Sequence, residues 1–272
     1  MRPGMVTMAG ASIVAAVLAG LLLSTPVVAS HPNAVASTHL AVYLVRGEQV
    51  APVWRLVPST TGVARAALMA LLRGPTVAER RAGYRSSIPV GTRLRSVAVS
   101  RGVATVDLNR RFEAGGGSLS MLLRVAQVVH TATQFPTVRK VAFRLDGKPV
   151  EAIGGEGVLV SPPVGRADFE GQAPPILVEQ PLPGDTVRSP IVVRGTANVF
   201  EARLEIELRS GSGRLLEHRH LSATAGTGTR GRFAASVRLP SQATALRVVV
   251  YARSPKDGSP THVVRVPVVH AP

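Results

Sequence analysis

The chain of 272 residues contains no cysteine. Disulfide scaffolds, cysteine-ligated zinc and thiol catalysis are therefore excluded. A lipoprotein anchor, which needs a cysteine at the cleavage site, is not expected either. Aromatic residues make up only 4%, with Trp54 the single tryptophan, so any core must be filled by Val, Leu, Ala and Ile. The same scarcity argues against an aromatic platform for stacking single-stranded nucleic acid. Acidic residues are few as well, 16 against 32 basic ones, leaving a formal charge of +16. Lysine is nearly absent: Lys140, Lys148 and Lys256 stand against 29 arginines. GC-rich codons produce such a bias. A surface drawn to anionic polymers, through attraction that salt screens, would produce it too. The excess is spread over both halves of the chain with no Lys/Arg-rich run, so a nucleic-acid partner is not expected.

There is one long apolar run, and it comes first. Arg2 provides a short positive start, and Met5 to Leu23 carries no charge. Thr25-Pro26 breaks a helix, and Val27-Val28-Ala29 places small residues before Ser30. This is the layout of a secretory signal peptide over residues 1–29, followed by a linker at 30–38. A run of this length also suits an uncleaved anchor, which would be the only tie to the membrane. Either way, the remainder is expected outside the cytoplasm.

Residues 39–165 read as an α+β domain. His39 to Val45 and Val50 to Val57 are strand-like, with Gly47 in the turn between them. Ser59-Thr60-Thr61-Gly62 offers N-cap chemistry for a helix in which Ala64, Ala67, Leu68, Leu71 and Leu72 recur at helical spacing. Gly74 and Pro75 end that helix. A basic loop with Arg80, Arg81 and Arg85 follows. Thr92 to Ser100 and Val103 to Leu108 make a hairpin through Arg101-Gly102. A second helix follows Gly115-Gly116-Gly117-Ser118, with Leu119, Leu122, Leu123, Ala126, Val129 and Ala132 as its apolar stripe. Val138 to Leu145 is a further strand, Asp146-Gly147 a turn, and Val150 the start of a short last strand. The order is ββ-α-ββ-α-β.

A linker at 166–174 leads to residues 175–272, where no amphipathic helix is visible. Seven strand-like segments begin near Ile176, Ile191, Leu204, Leu215, Arg232, Leu246 and His262. Their regular spacing is the signature of a β-sandwich, here an immunoglobulin-like one.

Several short stretches resemble a known family when taken in order. Leu71-Leu72-Arg73-Gly74-Pro75-Thr76, Ser87-Ile88-Pro89-Val90-Gly91-Thr92 and Ala104-Thr105-Val106-Asp107-Leu108 are similar to the GerMN domain of sporulation and spore-germination proteins. So are Thr131 to Val138 and Phe143-Arg144-Leu145-Asp146-Gly147. The second half resembles the immunoglobulin-like domain of bacterial spore germination. The residues that carry this are Pro181-Leu182-Pro183-Gly184, Ser189-Pro190, Val193 to Ala197, Phe200-Glu201-Ala202 and Lys256-Asp257-Gly258-Ser259. The resemblance implies an extracytoplasmic protein without catalysis, built for adhesion or partner binding. It also raises self-association, because GerMN domains are similar to ring-building modules of envelope assemblies.

Motifs with chemical meaning are few. Gly226-Thr227-Gly228-Thr229-Arg230-Gly231 spells GxGxxG, but a strand is expected after it, where a dinucleotide site needs a helix. Gly115 to Ser118 precedes a helix without a P-loop lysine, so Ser118 reads as an N-cap. His218 and His220 alternate along one strand beside Glu217 and Arg219, two imidazoles without a third ligand, and read as a solvated face. His130 reads as a partly buried side chain or a favourable charge near a helix C-terminus. Asp107 and Glu113, flanked by Arg110 and Arg111, suggest ion pairs rather than a hydrolase dyad. Arg80, Arg81, Arg85, Arg93 and Arg95 form the densest basic stretch, a solvated face or a grip for anionic polymers. No catalytic, cofactor-binding or metal-ligating residue is nominated, and no cofactor is expected. The sequence points to a non-enzymatic envelope protein whose partners are envelope proteins or anionic wall polymers. A homo-oligomeric ring component and a wall-modifying enzyme are the alternatives.

Overall fold

The computed structural model describes residues 36–155, 157–239 and 245–271. The expected signal peptide and most of the linker after it lie outside the described residues. Among the described residues no helix is long and apolar enough to cross a membrane. The fold is the expected one: an α+β domain followed by a β-sandwich, each with its own hydrophobic core.

Strands β1 (Ser37–Arg46) and β2 (Gln49–Pro58) pair antiparallel from Ser37 opposite Pro58 to Arg46 opposite Gln49. Gly47, at φ +63°, makes the turn in a conformation that favours glycine. Pro52 and Pro58 sit in β2, an edge strand, where a missing N–H is tolerated. Helix α1 (Val63–Leu72) buries Ala64, Ala67, Leu68 and Leu71, as their spacing predicts. Its N-cap is Gly62 and has no side-chain cap bond. Thr60 Oγ1 instead accepts the N–H of Gly62, 3.1 Å away.

The expected basic loop contains a helical turn, α2 (Val77–Arg81). Thr76 and Glu79 close a capping box at its start, each side chain taking the other's backbone N–H at 3.2 and 2.8 Å. The Thr-x-x-Glu signature was present in the sequence, masked by the arginines around it. Glu79 also receives both terminal nitrogens of Arg55, at 2.5 and 2.7 Å. Strand β3 (Tyr84–Arg85) then pairs with the end of β1.

Strands β4 (Leu94–Ser100) and β5 (Val103–Leu108) form the expected hairpin. Helix α3 (Ser118–Ala132) crosses over to β6 (Lys140–Leu145), which runs parallel to β5. Strand β7 (Lys148–Pro149) completes this sheet, and β8 (Ala152–Ile153) pairs with β9 (Val158–Leu159) in a separate ribbon.

Helix α3 departs most from its expected pattern. Leu119 is exposed and Leu122 half-buried, whereas every residue from Leu123 to Ala132 is buried. Arg124, Gln127, His130 and Thr131 are among them. Two of these four serve the backbone of β1, whose second edge meets β3 only at Val45 and Arg46. Gln127 donates to the Tyr43 carbonyl at 3.0 Å, and Thr131 Oγ1 accepts the Tyr43 N–H at 3.0 Å. Gln134, just past the helix, takes the N–H of Ala41 at 3.0 Å and donates to its carbonyl at 2.7 Å. Side chains of the helix region thus stand in for a missing strand, because buried backbone groups must find partners. Arg124 reaches the other way. Its guanidinium donates to the carbonyls of Ser87, Phe112, Ala114 and Gly115.

Seven main strands build the sandwich, as the sequence predicts: β10 (Ile176–Gln180), β12 (Ile191–Ala197), β13 (Arg203–Ser210), β14 (Leu215–Ser222), β15 (Gly231–Val237), β16 (Ala245–Arg253) and β17 (Pro260–His270). A two-residue strand, β11 (Thr186–Val187), joins them. One sheet runs β10-β12-β15 and the other β11-β17-β16-β13-β14. Val193, Ile206, Phe233, Val250 and Val266 fill the space between. Gly195 is required in β12, since a Cβ there would lie 2.1 Å from the carbonyl oxygen of Leu177.

Replacing Arg124 with Met removes the donor shared by four carbonyls while keeping most of the side-chain volume. We expect a loss of about 3 kcal/mol in urea unfolding. The same change at exposed Arg93 should stay within about 0.5 kcal/mol.

Candidate functional site

A group of partly buried polar side chains meets where the two domains join. Between the domains, residues Arg166–Gln172 form a 3-10 helix. Phe169 and Ala173 of this segment, and Leu177 of β10, pack into the core of the first domain. Polar contacts cross at the same place. Tyr43 of β1 donates its hydroxyl to Glu179 of β10 at 2.7 Å. Arg166 donates to the same carboxylate oxygen at 2.5 Å, to Thr133 Oγ1 at 2.9 Å and to the His130 carbonyl at 3.3 Å. Its guanidinium also lies 5.3 Å from the centre of the Tyr43 ring. Burial opposes ionisation of Glu179, but the charge and hydrogen bonds of Arg166, with the bond from Tyr43, hold its carboxyl below the ordinary range. A second clasp lies on the sandwich side. Glu170 accepts from Arg230 at 2.7 Å and from Asn198 at 3.0 Å, and Arg230 also donates to the Pro174 carbonyl at 2.8 Å.

His130 sits against this junction, its ring 5.2 Å from that of Tyr43. It is 2% exposed, and neither ring nitrogen has a hydrogen-bond partner among the described residues. Burial, with the charges of Arg166 and Arg230, pushes its pKa well below 6.5. It is therefore a neutral interior side chain, and the reading of it as a favourable helix-terminal charge fails. Burial and the positive charges of Arg166 and Arg230 all disfavour the protonated imidazole.

The other residues singled out in the sequence lie apart. The Gly226–Gly231 loop joins β14 to β15 with no helix after it. Its glycines allow close backbone approach: a Cβ on Gly226 would lie 2.4 Å from Ala202 N, and one on Gly231 would lie 2.2 Å from Ala225 N. At the start of α3 the N-cap is Gly117, and Ser118 is the first helical residue. The loop before it is held by the guanidinium of Arg124, whose charge its carbonyls solvate. Asp107 and Glu113 do not converge. Asp107 accepts the Gly147 N–H at 3.0 Å and lies 3.5 Å from Arg95, while Glu113 faces Arg110 at 3.7 Å. Of the basic stretch, Arg80 and Arg81 lie in α2, Arg85 in β3, and Arg93 and Arg95 at β4. Arg95 spans Asp107 and Asp146, and Arg80 turns back to the Pro75 carbonyl.

His218 and His220 do share one face of β14, and pairing with β13 adds what the sequence did not offer. Glu205 stands opposite His220 in the ladder. Its carboxylate lies 2.8 Å from His218 Nε2 and 3.8 Å from His220 Nδ1. It also accepts from Tyr251 and from two nitrogens of Arg253. The only signal for Glu205 in the sequence was its place in a neighbouring strand, and that becomes informative once the register is known.

Comparison with known proteins agrees with this architecture. Residues 41–151 match the family described as sporulation and spore germination, and residues 175–259 match the immunoglobulin-like domain of bacterial spore germination. Neither is a catalytic family. Among solved structures, the first GerMN domain of the sporulation protein GerM from Bacillus subtilis is 21% identical, over 48% of this chain and 98% of that one, with a TM-score of 0.39. The tandem GerMN domains of the same protein are 17% identical, over 75% of this chain and 62% of that one, with a TM-score of 0.43. No curated protein matches.

The junction predicts an acid-sensitive stability. Because the folded pKa of His130 lies below 6.5, the unfolded chain binds the proton more readily, and stability falls as pH drops below that value. The lowered pKa of Glu179 adds a second loss, which begins as pH falls below its ordinary 4.5. Urea midpoints measured across this range should show both declines. A His130→Leu variant should flatten the first and leave the second. Arg166→Met should lower stability by about 2 kcal/mol, because Glu179 is left without its counter-charge.

Proposed function

We propose that this chain, a GerMN-domain protein with a C-terminal immunoglobulin-like domain of the spore-germination type, is a non-enzymatic, exported module of the cell envelope that presents two joined domains to a binding partner. The junction carries this reading. Catalytic folds aim perturbed titratable groups into an open cleft. Here the buried and shifted groups around Tyr43, His130, Arg166 and Glu179 hold one domain against the other. A scaffold needs a fixed relation between its surfaces, and an apolar core continued from Phe169 to Leu177 supplies it.

The class of partner follows from charge. Carboxylates engage nine arginines among the described residues. That leaves a large basic excess in a chain of net charge +16. Anionic wall polymers outside the membrane are the partner this charge suits, reached through the N-terminal export segment.

Purified protein should co-sediment with cell walls at low salt. Binding should fall steeply as salt shortens the screening length, and should vanish once the walls are stripped of anionic polymers. Absence of binding at low salt, or binding indifferent to stripping, would overturn the anionic-polymer assignment and leave a protein partner.

A further inference from the structure

The outer face of the five-stranded sheet carries a polar cluster that the junction does not use. β13 and β14 run antiparallel, with Glu205 opposite His220 and Glu207 opposite His218. Alternation along each strand sends Leu204, Ile206 and Leu208 into the core and all four of these polar residues to the other face. The two imidazole rings lie edge to face with centroids 4.6 Å apart. One donor atom from each of Glu205, His218 and His220 falls within 4.8 Å of the other two.

We infer that Glu205, His218 and His220 bind a divalent transition-metal ion of the Zn²⁺ class. Two imidazoles and one carboxylate form a donor set suited to Zn²⁺, Cu²⁺ or Ni²⁺ and poorly suited to Mg²⁺ or Ca²⁺. The spacing fits. Ligands on a tetrahedral ion with bonds of about 2.05 Å lie about 3.3 Å apart. Glu205 Oε2 lies 2.8 Å from His218 Nε2 and Oε1 lies 3.8 Å from His220 Nδ1, on either side of that separation, so a side-chain rotation that offers one oxygen to both rings would close the site. An ion would replace the proton that His218 and Glu205 now share. Three protein ligands leave a position open to water or to a ligand on a partner.

The surroundings are those of a prepared ligand. Glu205 is buried, and its carboxylate is fixed by Tyr251 at 2.6 Å and by Arg253 at 2.7 and 3.0 Å. Hydrogen bonds to a coordinating carboxylate orient it and hold one geometry. Arg253 first, against the opposition of burial and with help from Tyr251 and His218, lowers the Glu205 carboxyl to about 2, so it is ionised at neutral pH. The guanidinium of Arg253 opposes an incoming cation. The Glu207 carboxylate, 3.0 Å from the same Tyr251 hydroxyl, is itself paired with Arg209 at 2.6 Å, so the ion must bind against the charge of Arg253. This site does not depend on the binding of wall polymers. It would tie β13 to β14 at the far side of the sandwich core from β10-β12-β15.

The test is calorimetric titration of the untagged full chain with zinc chloride at neutral pH, repeated with magnesium chloride. One equivalent of zinc should bind and raise the melting temperature by mass action, and magnesium should do neither. His218→Ala and His220→Ala should each weaken zinc binding by more than about tenfold, and His262→Ala should leave it unchanged. The imidazole side chain of His220 is 75% exposed, so its removal should not disturb the fold. Imidazole resonances of His218 and His220 should shift in NMR spectra as zinc is added. Lack of saturable zinc binding, or equal binding by the double variant His218→Ala/His220→Ala, would overturn the assignment.

Discussion

Strand β1 has two edges, and β3 covers only the end of the second. The open backbone groups of Tyr43 are buried in the first domain, and those of Ala41 beside them are half-buried. Gln127, Thr131 and Gln134 satisfy them. Much of the molecule depends on this constraint. It fixes the rotation of α3 about its axis, because Gln127 and Thr131, on one side of the helix, and Gln134, just past its end, must all meet one strand edge. With that rotation set, Val125, Ala126 and Val129 meet the core, Arg124 points at the preceding loop, and His130 and Thr133 face the sandwich domain.

The junction follows from the same placement. Tyr43 belongs to the strand that α3 completes, and its hydroxyl crosses to Glu179. Thr133, at the end of α3, holds Arg166, which binds the same carboxylate. A buried ion pair is a weak source of stability, because desolvation offsets its attraction. Its effect here is geometric. Glu179 has two donors at fixed positions, Tyr43 on the first domain and Arg166 in the segment between the domains, so few other orientations of the sandwich would satisfy it. The apolar contacts of Phe169, Ala173 and Leu177 supply the free energy, and the polar ones choose the arrangement.

The sandwich uses its two faces differently. Its inner face is closed by aliphatic side chains. Its outer face gathers Glu205, Glu207, Tyr251, Arg253 and His218 into one hydrogen-bonded group, with His220 against the ring of His218. A sheet face of this kind brings together residues from strands distant in the chain, since Tyr251 lies 46 positions from Glu205. Such proximity arises from pairing alone.

Local rules and composition made much of this legible beforehand. The two β1–β2 segments, the stripe of α1, the β4–β5 hairpin and all seven main sandwich strands follow from side-chain periodicity and turn residues, which act within a few positions. The ordered similarity to GerMN and immunoglobulin-like domains rests on the same local stretches. The errors occurred where a partner lies far away. The polar residues of α3 carried no sign of burial in the apolar stripe, because the strand they serve lies more than 80 positions earlier, with Gln127 and Tyr43 separated by 84. The Tyr43–Glu179 bond spans 136. His130 could not be recognised as neutral without Arg166 and Arg230 beside it. His218 and His220 lacked a third partner until the register set Glu205 opposite them. The sequence by itself determined the elements and their order, because those depend on neighbours along the chain. The satisfied strand edge, the fixed junction and the histidine–carboxylate cluster were decided by tertiary structure, because hydrogen bonds and charges act through space and only the folded chain sets those distances.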